Sequence, residues 1–200
     1  GFLQPDPKRV SYWSDYLKAF GGKLNVGVSW KSGNTEGMRD TLYARIKHWL
    51  PVFSIEDINF VNVFYGDSEE ELNWVKDQIG VEVHTPKGID LKNDLDDLSA
   101  LLASLDIVVG PHTAPLDLAM AVKGASAWVL PFRHFTTKGS FYFGQAYFPW
   151  APAAKPIYGD GFEKTMDVVE QELSHIVQTA DPKVILAELS KVMYACYGAS

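Results

Sequence analysis

Polar side chains that could bind an anion follow an apolar run at residues 106–110. His112 and Thr113 come directly after the Gly-Pro pair that ends the run, and a helix tolerates Pro115 in its first turn. The sequence therefore predicts a strand, a tight turn and a helix that starts near Thr113. Such a helix start favours phosphate, and Asp117, one turn in, could accept hydrogen bonds from sugar hydroxyls. The alternative is an ordinary turn with Thr113 as N-cap and nothing bound.

A second polar loop, residues 29–39, follows another predicted strand. It carries two cations, Lys31 and Arg39, either of which could neutralise a diphosphate at the neighbouring helix start, so that two loops would hold one anion. The alternative is a solvated loop whose cations pair with Glu36 or Asp40. The loop lacks P-loop spacing and the chain has no G-x-G-x-x-G motif, so neither a mononucleotide kinase nor a dinucleotide oxidoreductase is indicated.

Short β-rich runs alternate with helical patterns along the chain. Strands are predicted at residues 24–30, 58–65, 81–84, 106–110 and 125–130, and helices at residues 41–50, 68–79, 94–105, 113–122 and, at the carboxyl end, from about 163 to 197. The alternation predicts an α/β fold with five parallel strands in an open, doubly wound, Rossmann-like sheet. Ligands bind such sheets at the carboxyl ends of the strands, near the point where strand order reverses.

Acidic residues at two predicted helix starts are expected to be structural. The run of glutamates at residues 69–71 indicates a solvated helix start with a capping box at Ser68. Asp94, Asp96 and Asp97 favour the start of the next helix in the same way. No metal site and no cofactor are expected.

Composition limits the class of protein. The 200 residues are 46% hydrophobic, enough for one sizeable core, and the formal net charge of −7 disfavours nucleic-acid binding. A single cysteine, Cys196, allows no internal disulfide and suits a reducing compartment, so a cytoplasmic location is expected. No apolar run reaches membrane-spanning length, and Gly1 is preceded by no initiator Met and followed by no signal-peptide pattern, so a fragment of a longer protein is expected.

Four segments carry a resemblance to a known family. They are residues 26–33 (VGVSWKSG), 60–66 (FVNVFYG), the Asp- and Leu-rich residues 94–106, and residues 112–131, the most specific of the four. Between about residues 23 and 169 the chain resembles the carboxyl-terminal, nucleotide-sugar-binding half of a GT-B glycosyltransferase. The group in question spans heptosyltransferases, their tetratricopeptide-linked relatives and the O-linked N-acetylglucosamine transferases.

The resemblance implies roles for individual residues. His112, Thr113 and Ala114 match the His-Thr-Thr positions that contact the nucleotide diphosphate in the O-linked N-acetylglucosamine transferases, although Ala114 has only its backbone N–H to offer. Asp117 matches the aspartate that holds the ribose.

Two further comparisons bear on the donor. Lys31 and Arg39 are similar in placement to basic residues that compensate the diphosphate charge. The better-known heptosyltransferases carry Asp at the position of His112 and His at the position of Asp117, so the resemblance does not imply heptose as the donor sugar.

The expected protein is a donor-binding domain without its acceptor half. Residues 1–22 are too few for that half and are expected to form an arm or linker helix, while residues 23–200 form the Rossmann-like domain, including the helices from about residue 163. The expected partners are a nucleotide diphospho-sugar and an upstream acceptor-binding domain that supplies the catalytic base. The alternative is a noncatalytic module that keeps the fold for nucleotide binding or protein interaction.

Overall fold

The computed structural model of this chain describes residues 1–33, 42–130, 151, 154–157, 159–179 and 181. Arg39 and the helix predicted beyond residue 181 lie outside the described residues.

The fold is built on one sheet of five parallel strands. They are β1 (Leu24–Val28), β2 (Ile58–Asn62), β3 (Ile107–Pro111), β4 (Ala127–Leu130) and β5 (Lys155–Pro156), in the spatial order β2-β1-β3-β4-β5. β2 lies on one side of β1 and β3 on the other, so strand order reverses between β1 and β3. The predicted doubly wound α/β class is confirmed.

Helices cover both faces of this sheet. They are α1 (Pro7–Lys18), a 3₁₀ helix (Ile46–Trp49), α2 (Leu50–Phe53), α3 (Glu69–Ile79), α4 (Leu95–Ser104), α5 (Ala114–Ala121) and α6 (Gly161–Val177). One buried cluster joins Trp30, Trp49 and Phe53 to side chains of α3 and α6, and the other joins Trp13 and Leu101 to side chains of α5. Side chains alternate across a strand, so β2, β3 and β4 each contribute to both clusters, whereas β1 contributes only to the first.

α1 is tied to α4 through one carboxylate. Asp97 accepts a hydrogen bond from Trp13 Nε1 at 3.1 Å and also contacts the Arg9 guanidinium. Asp6 caps the helix by accepting from the Lys8 backbone N–H at 2.8 Å. Asp97 was expected only to favour the start of its own helix, and the structure shows that it also anchors the amino-terminal helix.

Two predicted elements differ from the structure. The strand predicted at residues 81–84 is a single bridge between Val61 and His84, and the fifth strand is instead the short β5. The helix predicted at residues 41–50 was also wrong, because residues 43–45 are not helical. A separate helix, α2, begins at Leu50, and Pro51 occupies its first turn, where its missing N–H costs no hydrogen bond.

The start of α3 also differs from its prediction. Ser68 makes no side-chain capping bond, and the backbone N–H of Glu69 donates instead to Asp67 Oδ1 at 3.2 Å. The end of α3 is as predicted, since Gly80 adopts φ 70°, a left-handed conformation that favours glycine.

Candidate functional site

The site begins where β1 and β3 end side by side. Val28 pairs with Val109 across the two strands, and the backbone N–H of Ser29 donates to the Val109 carbonyl at 3.0 Å. At Gly110 an added Cβ would lie 2.6 Å from the Ser29 carbonyl oxygen and 2.7 Å from Leu116 Cδ2. Glycine therefore lets β1, β3 and the first turn of α5 approach one another at the point where strand order reverses.

The start of α5 has no side-chain cap. Thr113 is its N-cap residue, with an extended backbone at φ −133° and ψ 172°, and Pro115 lies in the first turn as predicted. The Thr113 side chain does not cap the helix, because its hydroxyl donates to the Pro111 carbonyl at 3.2 Å and the residue is only 8% exposed. Ala114 is exposed. The alternative role of Thr113 as a capping side chain is therefore not seen.

His112 and Asp117 meet across this helix start. His112 Nε2 lies 2.6 Å from Asp117 Oδ1, and the two side chains are 20% and 56% exposed. The two residues are separated by one helical turn, and this spacing could have predicted the contact. Each of them was instead expected to contact a different part of a ligand.

Lys31 has a partner that the sequence analysis missed. Its ammonium lies 2.5 Å from Glu71 Oε2 and 5.2 Å from the centre of the Phe64 ring. The same carboxylate oxygen accepts a hydrogen bond from the buried Trp30 Nε1 at 3.1 Å. Glu71 was expected to belong to a solvated helix start, and the structure corrects this, because the side chain faces the loop after β1.

The predicted site residues therefore fall into two groups. His112, Thr113, Ala114 and Asp117 share the turn at the start of α5. Lys31 lies at the end of the neighbouring β1, held towards α3 on the side of β2.

Two pockets flank these groups. A small apolar pocket at the ends of β1, β3 and β4, lined in part by Trp30, Pro111 and Leu130, has about 10 Å³ of free space, room for about one water molecule. An open groove of about 490 Å³ lies beyond β2 and is lined by residues 66–69, Glu82, Val83, Thr85 and Lys87 among others. Neither lining includes His112 or Asp117.

Two features are absent from the described part of the chain. It contains no group of three or more His, Cys, Asp or Glu residues arranged to hold a metal ion. None of its helices is long and apolar enough to span a membrane.

Comparisons with known proteins place this fold. No family model matches the chain. A 161-residue stretch, 77% of the chain, is 39% identical to Protein FlbA of Caulobacter vibrioides, but it spans only 25% of that protein. The name of this relative states no activity.

Two solved structures resemble nearly the whole chain. A glycosyl transferase of family 9 from Veillonella parvula has a TM-score of 0.55 at 12% identity, over 97% of this chain and 53% of that one. The ADP-heptose lipopolysaccharide heptosyltransferase II of E. coli has a TM-score of 0.53 at 16% identity, over 97% and 54%. The chain has the fold of one half of a GT-B glycosyltransferase. It spans about half the length of each neighbour.

Proposed function

We propose that this chain is the donor-binding domain of a glycosyltransferase and holds a nucleotide diphospho-sugar. The observation that carries the proposal is the start of α5, which has no side-chain cap, exposes Ala114 and lies beside His112 where strand order reverses. Backbone N–H groups in this position are a favourable site for phosphate. The glycosyltransferase fold supports the same assignment.

Each residue has a role in this proposal. The backbone N–H groups of Thr113 and Ala114, the His112 imidazole and a cation from the loop after β1, Lys31 or Arg39, compensate the charge that develops on the diphosphate as it leaves. Asp117 accepts hydrogen bonds from the ribose hydroxyls. No metal or organic cofactor takes part.

The proposal assigns the acceptor and the catalytic base to an upstream domain. Residues 23–200 then form the donor-binding domain, and residues 1–22 lead into it as an arm or linker helix. The chain spans 53% and 54% of the two GT-B neighbours, which supports a further domain outside this chain.

A thermal-shift panel of UDP-, GDP-, ADP- and CMP-sugars tests donor binding. A ligand at 100 times its dissociation constant stabilises the folded state by about 2.7 kcal/mol, which raises the Tm of a domain of this size by roughly 5–10 °C. We expect one base to give such a rise. No rise with any donor would contradict the proposal.

Ala114→Pro tests the backbone contact directly. The extended Thr113 is compatible with a following proline, and proline is tolerated at the first helical position, so the fold should persist while one N–H donor disappears. We expect nucleoside diphosphate affinity to fall by about tenfold or more, as for a lost hydrogen bond to a charged group. Ala114→Ser keeps the N–H and is the matched control. Equal affinities in the two variants would exclude this contact.

Transfer itself tests the division between domains. The 200-residue chain should bind the donor without transferring sugar, and a longer protein that includes the upstream domain should transfer. Asp117→Ala in that protein should lose transfer, since displacing a donor by about 1 Å can cost roughly a hundredfold in rate. Donor hydrolysis by the 200-residue chain would show that a complete active site lies within it.

One observation favours a noncatalytic module as a second candidate. Lys31 is paired with Glu71, and His112 with Asp117, so carboxylates of the chain already neutralise part of the site. Nucleotide binding that persists without transfer in the longer protein would support this candidate.

A further inference from the structure

The Asp117 carboxylate at the start of α5 contacts an imidazole and is also exposed to solvent. Asp117 is the fourth residue of the helix, and its backbone N–H donates to the Thr113 carbonyl at 2.9 Å, so the base of its side chain is fixed. Its Oδ1 lies 2.6 Å from His112 Nε2. A carboxylate can only accept, so a hydrogen bond across this contact requires the proton on Nε2.

A carboxylate that holds one ring nitrogen selects the tautomer of an imidazole and fixes its plane. His112 lies on the short turn between β3 and α5, and Asp117 lies within α5. Regular secondary structure therefore holds the backbone of both residues. The Asp117 side chain is 56% exposed, which leaves its second oxygen accessible to a hydroxyl of a ligand.

We infer that Asp117 is a positioning residue for His112, in addition to contacting the ribose. This rests on the proposed function, in which His112 meets the diphosphate. Asp117 then links recognition of the diphosphate to recognition of the ribose. A residue that only bound ribose would have no effect on a ligand without ribose.

Inorganic pyrophosphate is the probe that separates the two roles, because it contains no ribose. Its affinity for the 200-residue chain is measured by calorimetry with wild type, Asp117→Ala, Asp117→Asn, His112→Ala and the double alanine variant. We expect each single alanine variant to lose about tenfold in affinity, the value of one hydrogen bond to a charged group. The double variant should lose no more than His112→Ala, because Asp117 acts through the imidazole.

The amide variant provides the rescue. Asn keeps an oxygen that can accept from Nε2. The pyrophosphate affinity of Asp117→Asn should therefore stay within about threefold of wild type, a smaller change than the loss of one hydrogen bond would cause. Asp96→Asn is the matched control, since Asp96 is an exposed aspartate in the first turn of α4 and its loss should leave pyrophosphate affinity unchanged. Circular dichroism and Tm check that each variant is folded.

The wild-type protein gives an independent readout. A long-range ¹H–¹⁵N spectrum of the wild type should show His112 with a proton on Nε2, and this readout does not depend on the folding of any variant. Additive losses in the double variant, unchanged pyrophosphate affinity in Asp117→Ala, or a rise in that affinity would overturn the inference. Wild-type chain that binds neither pyrophosphate nor any donor of the sugar panel would overturn the proposed function itself.

Discussion

At the scale of single residues, Glu71 links the core to the candidate site. One of its oxygens accepts from the buried Trp30 indole and also contacts the Lys31 ammonium. A buried indole N–H needs an acceptor, so Glu71 is held in place by the core. Its negative charge then competes with any phosphate for Lys31.

Glu71→Gln should therefore strengthen nucleoside diphosphate binding. The amide oxygen still accepts from Trp30, while the ion pair with Lys31 is lost, and a partly exposed pair of this kind contributes about 0.2–1 kcal/mol. We expect affinity to rise by about 1.4- to 5-fold and the gain to shrink with added salt. Titration of the variant and of Lys31→Met, which should bind more weakly, measures the effect. Weaker binding by Glu71→Gln would mean that the carboxylate orients Lys31 for the ligand.

At the scale of elements, the packing of α1 on α4 depends on contacts between distant parts of the sequence. Trp13 and Asp97 are 84 residues apart, yet the indole donates to that carboxylate at 3.1 Å. Trp13 itself is 1% exposed. The junction therefore combines a buried aromatic ring with polar contacts, among them Asp97 and the Ser104 hydroxyl, which donates to the Val10 carbonyl at 3.1 Å.

Asp97→Leu should destabilise the domain. The substitution leaves the buried Trp13 N–H without its acceptor, which costs about 1–3 kcal/mol. Urea unfolding measures the difference in free energy. Asp97→Asn keeps an acceptor and should lose less, and Asp96→Ala on the same helix should change stability by no more than about 0.5 kcal/mol. Equal losses in Asp97→Leu and Asp96→Ala would show that the anchor contributes nothing.

These cases show which features the sequence could predict. β3 and the start of α5 were predictable because their signals are local: an apolar run, a Gly-Pro pair and Pro115. β5 has only two residues, too few to show a periodicity, and it forms because β4 offers a free edge. The partner of Lys31 lies 40 residues away on α3, so it depends on helix packing that no local pattern encodes.

At the scale of the whole molecule, two histidines connect stability to pH. Burial is the largest cause that lowers the pKa of His84 below 6.5, against an opposing effect of Glu82. Burial, followed by the charge of Lys47, lowers the pKa of His48 in the same way. His84 also stacks on Phe20, with ring centres 4.0 Å apart. This stack joins the segment after α1 to the edge of the sheet.

The free energy of unfolding should fall as the pH drops below 6.5. A base with a lowered folded pKa binds fewer protons in the folded state than in the unfolded state, so stability is full above the unfolded value of 6.5 and declines below it. Urea unfolding between about pH 8 and pH 5.5 measures this slope. His84→Phe keeps a ring against Phe20 and removes the titration, so its slope should be shallower. An unchanged slope would contradict the assignment to His84.

The hydrogen bond between Trp30 and Glu71 also gives the molecule an internal optical probe. Indole emission responds to the electric field across the ring, and the acceptor of this indole is the carboxylate that contacts Lys31. A ligand that draws Lys31 away from Glu71 changes the field at Trp30 without touching it. Fluorescence of the unlabelled chain can therefore report on events at the loop after β1 in real time, with Trp30→Phe as the variant that lacks the signal.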